Sequence, residues 1–342
     1  MKNKSKLLLL PASFLLLTGC GSSANVSIPK NYAAIDKADP TAREAFFNKV
    51  GEDVALTYEK AVQGFMAEGS FSFKELSYEE VRSSGKTNYI KIADFEADYS
   101  FGLVGLNEGA AKAKAVLKIE DAGFKLEYKK SDKVYSLSAS DLDAAAYYVD
   151  NTLYYDLTDK NVKTFVNDAI DFSYNINDRA DRTDEIKKDK DFMAKYLGKY
   201  YVKDDEVEEV ANDIPTSLTQ KDVSNIQKLL GSAFDEILKE EKAKDLLTLA
   251  EDKNSKGAAI SFALTSEPVE VEDAQVSGDL AASLVFDKEG IFSRFGFKGN
   301  LKVAGDDFKF ALDKLDFGAN FKYGANSVKL PSFKDYKEIQ KD

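Results

Sequence analysis

From Ser70 to Tyr323 the chain returns again and again to a two-residue alternation of apolar and polar side chains. Phe95, Ala97, Tyr99, Phe101 and Leu103 face one way, and Glu96, Asp98, Ser100 and Gly102 the other. Ala111, Ala113, Ala115, Leu117 and Ile119 oppose Lys112, Lys114, Lys118 and Glu120 in the same manner. Further short runs follow at Phe124–Leu126–Tyr128 and Tyr135–Leu137–Ala139. Tyr147-Tyr148-Val149 and Leu153-Tyr154-Tyr155 then flank Asp150-Asn151, a hairpin turn signal. One apolar and one polar face on successive strands is the mark of an antiparallel sheet solvated on one side. About six strands in a meander are expected between 70 and 157.

Four longer strands are expected after residue 252. Ala258, Ile260, Phe262 and Leu264 alternate, as do Leu280, Ala282, Leu284 and Phe286, and then Ile291, Phe295, Phe297, Leu301 and Val303. In the last strand Phe308, Phe310 and Leu312 occupy even positions, whereas Leu315, Phe317, Ala319, Phe321 and Tyr323 occupy odd ones. That change of phase near Lys314 predicts a β-bulge, which bends a strand and raises its twist.

Helical signals bracket the meander. Asp39-Pro40 supplies a capping acid followed by proline at the first helical position, and Phe47, Val50, Val54, Ala61 and Phe65 fall on one face behind it, with Gly69 as the stop. From Thr158 to Asp252 the chain reads as a charged helical section. Asp159 is a cap, Asp184 to Leu197 a helix, Lys199 to Val202 a short strand, Thr219 to Asp222 a capping box, and Glu241 to Glu251 a last helix. Runs of strands alternating with a run of helices indicate α+β. The expected fold is a strongly curved antiparallel sheet, a half-barrel, with helices on its concave face. The domain runs from 39 to 330: helix and meander over 39–157, a helical insertion over 158–252 and closing strands over 253–330. Two smaller half-domains split by the insertion are the alternative, and 331–342 reads as a tail.

The N-terminus adds an address. Lys2, Lys4 and Lys6 precede an apolar stretch from Leu7 to Leu17, which is too short for the roughly 20 residues a bilayer span requires. It ends in Leu17-Thr18-Gly19-Cys20, which resembles the lipobox of bacterial lipoproteins. That resemblance implies a signal peptide over 1–19, removed before Cys20, and a diacylglyceryl thioether on the Cys20 sulfur with palmitate-type chains. Two chains matter, because one gives only reversible membrane binding. Residues 20–38 are then a lipid anchor and flexible tether on the extracytoplasmic face of the cell membrane.

Composition removes much chemistry. Cys20 is the single cysteine and there is no histidine, so disulfides, Ser-His-Asp and Cys-His nucleophiles and Cys/His zinc sites are absent. Without histidine no side chain has an unperturbed pKa near neutrality, so no pH switch is expected there. Losing residues 1–19 leaves 44 basic against 59 acidic residues, net −15, which repels nucleic acid. No glycine-rich phosphate loop follows a strand. Asp178, Asp181, Asp184 and Glu185 lack EF-hand spacing and read as a solvated loop, as does the run Lys203 to Glu209. No motif singles out a carboxylate pair for hydrolysis, and the expectation is no enzyme, no cofactor and no metal.

The aromatic residues, 17 Tyr and 23 Phe without a Trp, are concentrated on the strands. A curved sheet incompletely filled by helices leaves an apolar cavity that suits a hydrophobic ligand. Phe95, Tyr99, Phe101, Phe124, Leu126, Phe262, Leu264, Phe295 and Phe297 are its expected lining, with Ala97, Ala111, Ala113, Ala115 and Ala258 leaving room. The lipobox, N-terminal helix, meander, Tyr147–Tyr155 hairpin, helical insertion and closing strands together resemble the LolA/LppX-like lipoproteins. That resemblance implies a half-open β-barrel closed over by helices around a lipid cavity. The expected function is therefore a membrane-anchored, non-catalytic carrier of a lipid-like ligand. Its rival is a fully packed surface lipoprotein serving as adhesin or assembly scaffold. A transporter's solute-capturing lipoprotein is disfavoured, since those alternate strand and helix.

Overall fold

The computed structural model describes residues 26–339 except 82–86, 106–107, 109–112, 131, 204–214, 216, 240–243 and 272–273. The lipobox, Cys20, Ala111 and most of the Lys203–Glu209 run lie outside the described residues. Four helices are described: α1 (Pro40–Ala61), α2 (Lys160–Ile176), α3 (Thr183–Ala194) and α4 (Gln220–Lys239). The strands are β1 (Ala33–Ala34), β2 (Gly64–Val81), β3 (Thr87–Val104), β4 (Lys114–Lys130), β5 (Lys133–Val149), β6 (Thr152–Asp156) and β7 (Lys199–Lys203). They continue with β8 (Leu247–Glu251), β9 (Ala258–Val271), β10 (Ala274–Phe286), β11 (Phe292–Gly305), β12 (Phe308–Tyr323) and β13 (Lys337–Glu338).

All thirteen strands join one open, curved sheet in the order β1-β8-β9-β10-β11-β12-β2-β3-β4-β5-β6-β7-β13. Neighbours are antiparallel except β13, which runs parallel to β7. The closing strands and the meander meet where β12 pairs with β2, from Phe308↔Glu80 to Tyr323↔Phe65.

The bulge expected near Lys314 is present: Lys314 has φ 52° and the β11–β12 register slips between Gly299 and Leu301. Asp94, Asp121 and Asp141 adopt the same left-handed conformation inside β3, β4 and β5, with φ 49°, 52° and 53°. Aspartate tolerates this region better than most residues. These bulges correct the strand count. The runs at 113–119 and 124–128 are one strand, β4, and those at 135–139 and 147–149 are one strand, β5, because each bulge changes the phase without ending the strand.

Local chemistry placed the caps. The Asp39 carboxylate accepts from the Thr41 amide at 2.9 Å, and Asp159 from the amides of Asn161 and Val162 at 2.9 and 3.0 Å. Thr219 and Asp222 cap reciprocally, the Asp222 amide donating to Thr219 Oγ1 at 3.2 Å and the Thr219 amide to Asp222 Oδ2 at 3.0 Å. Asp150 and Asn151 both have positive φ, as a tight hairpin turn requires.

Other expectations need correction. α1 ends at Ala61, not near Gly69, because Gly64 at φ 149° turns the chain and begins β2, so that Phe65 is a strand residue. The helix expected over Glu241 to Glu251 is instead a single 3₁₀ turn, Lys244–Leu246, leading into β8. There Leu247, Leu249 and Ala250 are fully buried against β9, and that pairing outweighs local helix propensity. The described part of 20–38, residues 26–38, is docked on the fold and does not behave as a flexible tether. Ala33 and Ala34 pair with β8, the Tyr32 hydroxyl donates to the Phe286 carbonyl at 2.7 Å, and Lys37 reaches the Leu247 carbonyl at 2.6 Å. The tail from 331 is likewise part of the fold, with Tyr336 buried and β13 on the sheet edge.

Apolar residues cover both faces of the sheet at one end. On the helix face, Phe46, Phe47 and Val50 of α1 pack on Leu247, Leu249, Ala258, Ile260 and Phe286. Each such burial contributes about 1.5–3 kcal/mol. α4 lies on α1 through the stacked rings of Phe47 and Phe234, 5.0 Å apart, with Leu230 and Phe234 against the same cluster. On the opposite face Met66, Val116 and Tyr147 are buried under Val328, Leu330 and Phe333 of the C-terminal segment. The alternation in β4 placed Leu117 and Ile119 inward; in the structure they are 43% and 39% exposed while Val116 is buried, because the C-terminal segment covers the other face.

Candidate functional site

α1 and α4 do not fill the space above β9 to β12. They leave an apolar cavity of about 150 Å³, lined by Val50, Val54, Thr57, Tyr58 and Ala61 of α1, by Leu218 and Leu230, and by Ile260, Leu284, Phe286, Phe292, Phe321 and Tyr323 from the strands. A void of this size walled by aliphatic and aromatic groups is large enough for a benzene-sized molecule.

Its few hydroxyls are engaged elsewhere. Thr57 Oγ1 donates to the Asp53 carbonyl at 2.7 Å and accepts from the Phe292 amide at 2.9 Å. The Tyr58 hydroxyl donates to the Pro215 carbonyl at 2.6 Å, and that of Tyr323 to the Phe292 carbonyl at 2.7 Å. Burial, reinforced by Asp287, drives the Tyr323 phenol far above its ordinary pKa, so it stays neutral. The lining therefore offers a guest contact area without charge.

The same sheet face continues away from the helices as a chain of aromatic rings. Leu284 of the cavity pairs across the sheet with Phe295. From Phe295 the rings run to Phe317 (5.7 Å), Phe71 (6.0 Å), Phe95 (5.3 Å), Phe124 (6.4 Å) and Phe165 of α2 (5.6 Å). Beyond them lies a row of direct cross-strand partners through eight strands: Val269, Val276, Val303, Phe310, Tyr78, Ile90, Tyr128 and Tyr135. Tyr78 and Ile90 are 46% and 43% exposed, so the face is open at this end. Contiguous exposed apolar surface of this kind is uncommon on a folded chain.

All nine residues expected to line a cavity lie on this face by register. None of them lines the cavity beneath α1 and α4. Phe95, Phe124 and Phe295 belong to the ring chain. Phe101 packs on Phe65 at 5.7 Å, Phe297 pairs with Phe317 and Ala282, and Phe262 pairs with Leu247. Leu126 pairs with Ile92 and Leu137, Leu264 with Leu280, and Tyr99 with Ile119. Sequence reasoning missed Leu284, Phe286 and Phe321, which sit in the same alternating runs at the end covered by α1, and Phe292, which alternation passed over for Ile291 because the β10–β11 register shifts between Val285 and Phe286. It also missed Asp53, the one buried acid beside the cavity, whose carboxyl is pushed up to about 6 by burial, against the opposing pull of Lys49 and Lys256. Burial thus moves this carboxyl toward the range in which the sequence offers no unperturbed group.

Among the described residues no group of three or more acids could hold a metal ion. The acidic cluster is dispersed into ion pairs: Asp178 with Lys133 at 2.9 Å, and Glu185 with Arg179 and Arg182 at 2.6 and 2.7 Å. No described helix is long and apolar enough to cross a membrane. No protein-family model, no curated protein and no solved structure matches the chain.

Proposed function

We propose that this chain is a membrane-anchored extracytoplasmic lipoprotein that binds a lipid-like hydrophobic ligand without catalysis. The curved sheet is read as a half-barrel, its concave side holding the ligand beneath the helices, with Cys20 as the lipid anchor. One observation carries the reading: an apolar cavity whose hydroxyls are all engaged elsewhere lies on the same sheet face as a continuous chain of partly exposed phenylalanines. Ligand pockets usually measure about 300–1,000 Å³. The void alone is smaller, so a carried ligand places one end beneath α1 and extends along the Phe295–Phe124 rings. If the described fold begins at Val26, about six residues separate it from Cys20, a reach of roughly 20 Å. That holds the binding face within one protein diameter of the bilayer.

The test is uptake of an uncharged naphthylamine dye by the chain from Gly21 onward, which contains every residue of the described fold. Saturable fluorescence enhancement that a long-chain fatty acid displaces is the expected result. No enhancement, or enhancement that no hydrocarbon displaces, supports the fully packed scaffold instead.

A further inference from the structure

Asp53 sits in the middle of α1, 4% exposed, and its Oδ2 has no hydrogen-bond partner. It points away from the cavity, into the turns that join β8 to β9 and β10 to β11. Gly290 of the second turn lies directly on it: a Cβ built there would stand 2.3 Å from Asp53 Oδ1. Gly290 has φ 80°, so this close approach and the turn's conformation both call for glycine. The two turns are themselves tied, the Lys256 amide donating to the Lys288 carbonyl at 3.1 Å.

The charged groups around Asp53 come from every packed element. Lys49 and Glu52 lie on α1, Lys256 on the β8–β9 turn and Asp287 on the β10–β11 turn, with Tyr32 from the segment before β1. Lys49 is committed to Glu251 at 3.5 Å and to the Gly257 carbonyl at 3.1 Å. Asp287 accepts the Glu289 and Ile291 amides, both at 3.0 Å. Neither closes a contact with the Asp53 carboxylate. An ionised carboxylate in that position needs water, and water enters only where helix and turn part.

The cavity begins one residue away. Val54 lines it, Thr57 bonds the Asp53 carbonyl, and the same Thr57 hydroxyl holds the amide of Phe292, which follows the β10–β11 turn. We propose that Asp53 is a pH-operated latch on the cavity: neutral, it lets α1 lie closed on the β10–β11 turn, and ionised, it admits water between them and speeds ligand exchange. This rests on the reading of the cavity as a ligand site. The elevated carboxyl places the transition near pH 6, in a chain that has no histidine to do the same work.

Two measurements on the chain from Gly21 test it. The first is the dissociation rate of the naphthylamine dye between pH 5 and 7.5. Wild type is expected to release it at least fivefold faster at pH 7.5, whereas Asp53→Asn stays at the slow rate throughout. A pH-independent wild type, or a variant that keeps the dependence, overturns the latch. The second needs no ligand: amide exchange at Gly290 to Phe292, corrected for its intrinsic pH dependence. Extra opening at pH 7.5 that disappears in Asp53→Asn supports the latch even if the dye never binds, in which case the ligand reading alone fails. Equal protection at both pH values overturns the latch whether or not the dye binds.

Discussion

The Phe292 amide donates to Thr57 Oγ1 at 2.9 Å, tying the first residue of β11 to the C-terminal part of α1 across more than two hundred residues of sequence. The bond lies in the cavity wall, where no water replaces it. Thr57→Val keeps the shape and leaves that amide unpaired. It is expected to cost about 1–3 kcal/mol, measured as a lowered midpoint in chemical unfolding with an unchanged slope.

Asp53 gives stability a pH dependence of known sign. Its folded value of about 6 lies above the ordinary 3.8, so the folded state holds the proton more tightly than the unfolded chain. The associated stability is complete below pH 3.8 and is lost as pH rises through about 6. Asp53→Asn should therefore be more stable than wild type at pH 7, by about 2–3 kcal/mol, and show no such gain at pH 4. Taking the difference between the two proteins cancels carboxylates shifted the other way, such as Asp252, which its turn amide and Ser255 hold low.

Val54 lines the cavity from α1 and offers a way to fill it. Val54→Phe places a ring in existing space, so stability should change by less than about 1 kcal/mol. Dye binding should fall at least tenfold. Unfolding curves and a dye titration on the same sample separate the two effects.

α4 reaches the sheet mainly by way of α1, and Gly51 lies under Gln227 with only 2.3 Å between a built Cβ and the Gln227 Cγ. Gly51→Cys with Gln227→Cys is expected to form a disulfide in the chain from Gly21, which has no other cysteine. Oxidised, it should slow dye entry severalfold; reduction should restore the rate.

The C-terminal segment acts as a strap. Phe333 stacks on Tyr154 at 4.0 Å and meets Tyr147 at 5.6 Å. Phe333→Ala is expected to lower stability by about 2 kcal/mol and to expose Val116, read as faster amide exchange in β4.

What the sequence disclosed was local. Asp39, Asp159 and the Thr219–Asp222 box capped where expected because a cap is written in three or four neighbouring residues. The Asp150-Asn151 hairpin and the Lys314 bulge were legible for the same reason. β8 was not, since Leu247-Thr248-Leu249-Ala250 becomes a strand only through pairing with β9. β1 and the strap at Phe333 depend in the same way on distant partners. The site followed this division. Alternation put nine aromatic and aliphatic residues on the face that α1 covers, but the void is set by how α1 and α4 lie over Leu284, Phe292 and Phe321. Nothing local to Asp53 distinguishes it from the exposed acids of other helices; its burial comes from two turns that follow some two hundred residues later.

Native mass spectrometry of the chain from Gly21, followed by solvent extraction, asks whether the helix-covered sheet face carries a hydrophobic guest. The expected result is a mass above that of the polypeptide, lost on extraction, recovered as a hydrocarbon-chain compound and absent from Val54→Phe. A bare polypeptide mass under several growth conditions, with no mass gained on incubation with fatty acid or phospholipid, would contradict it.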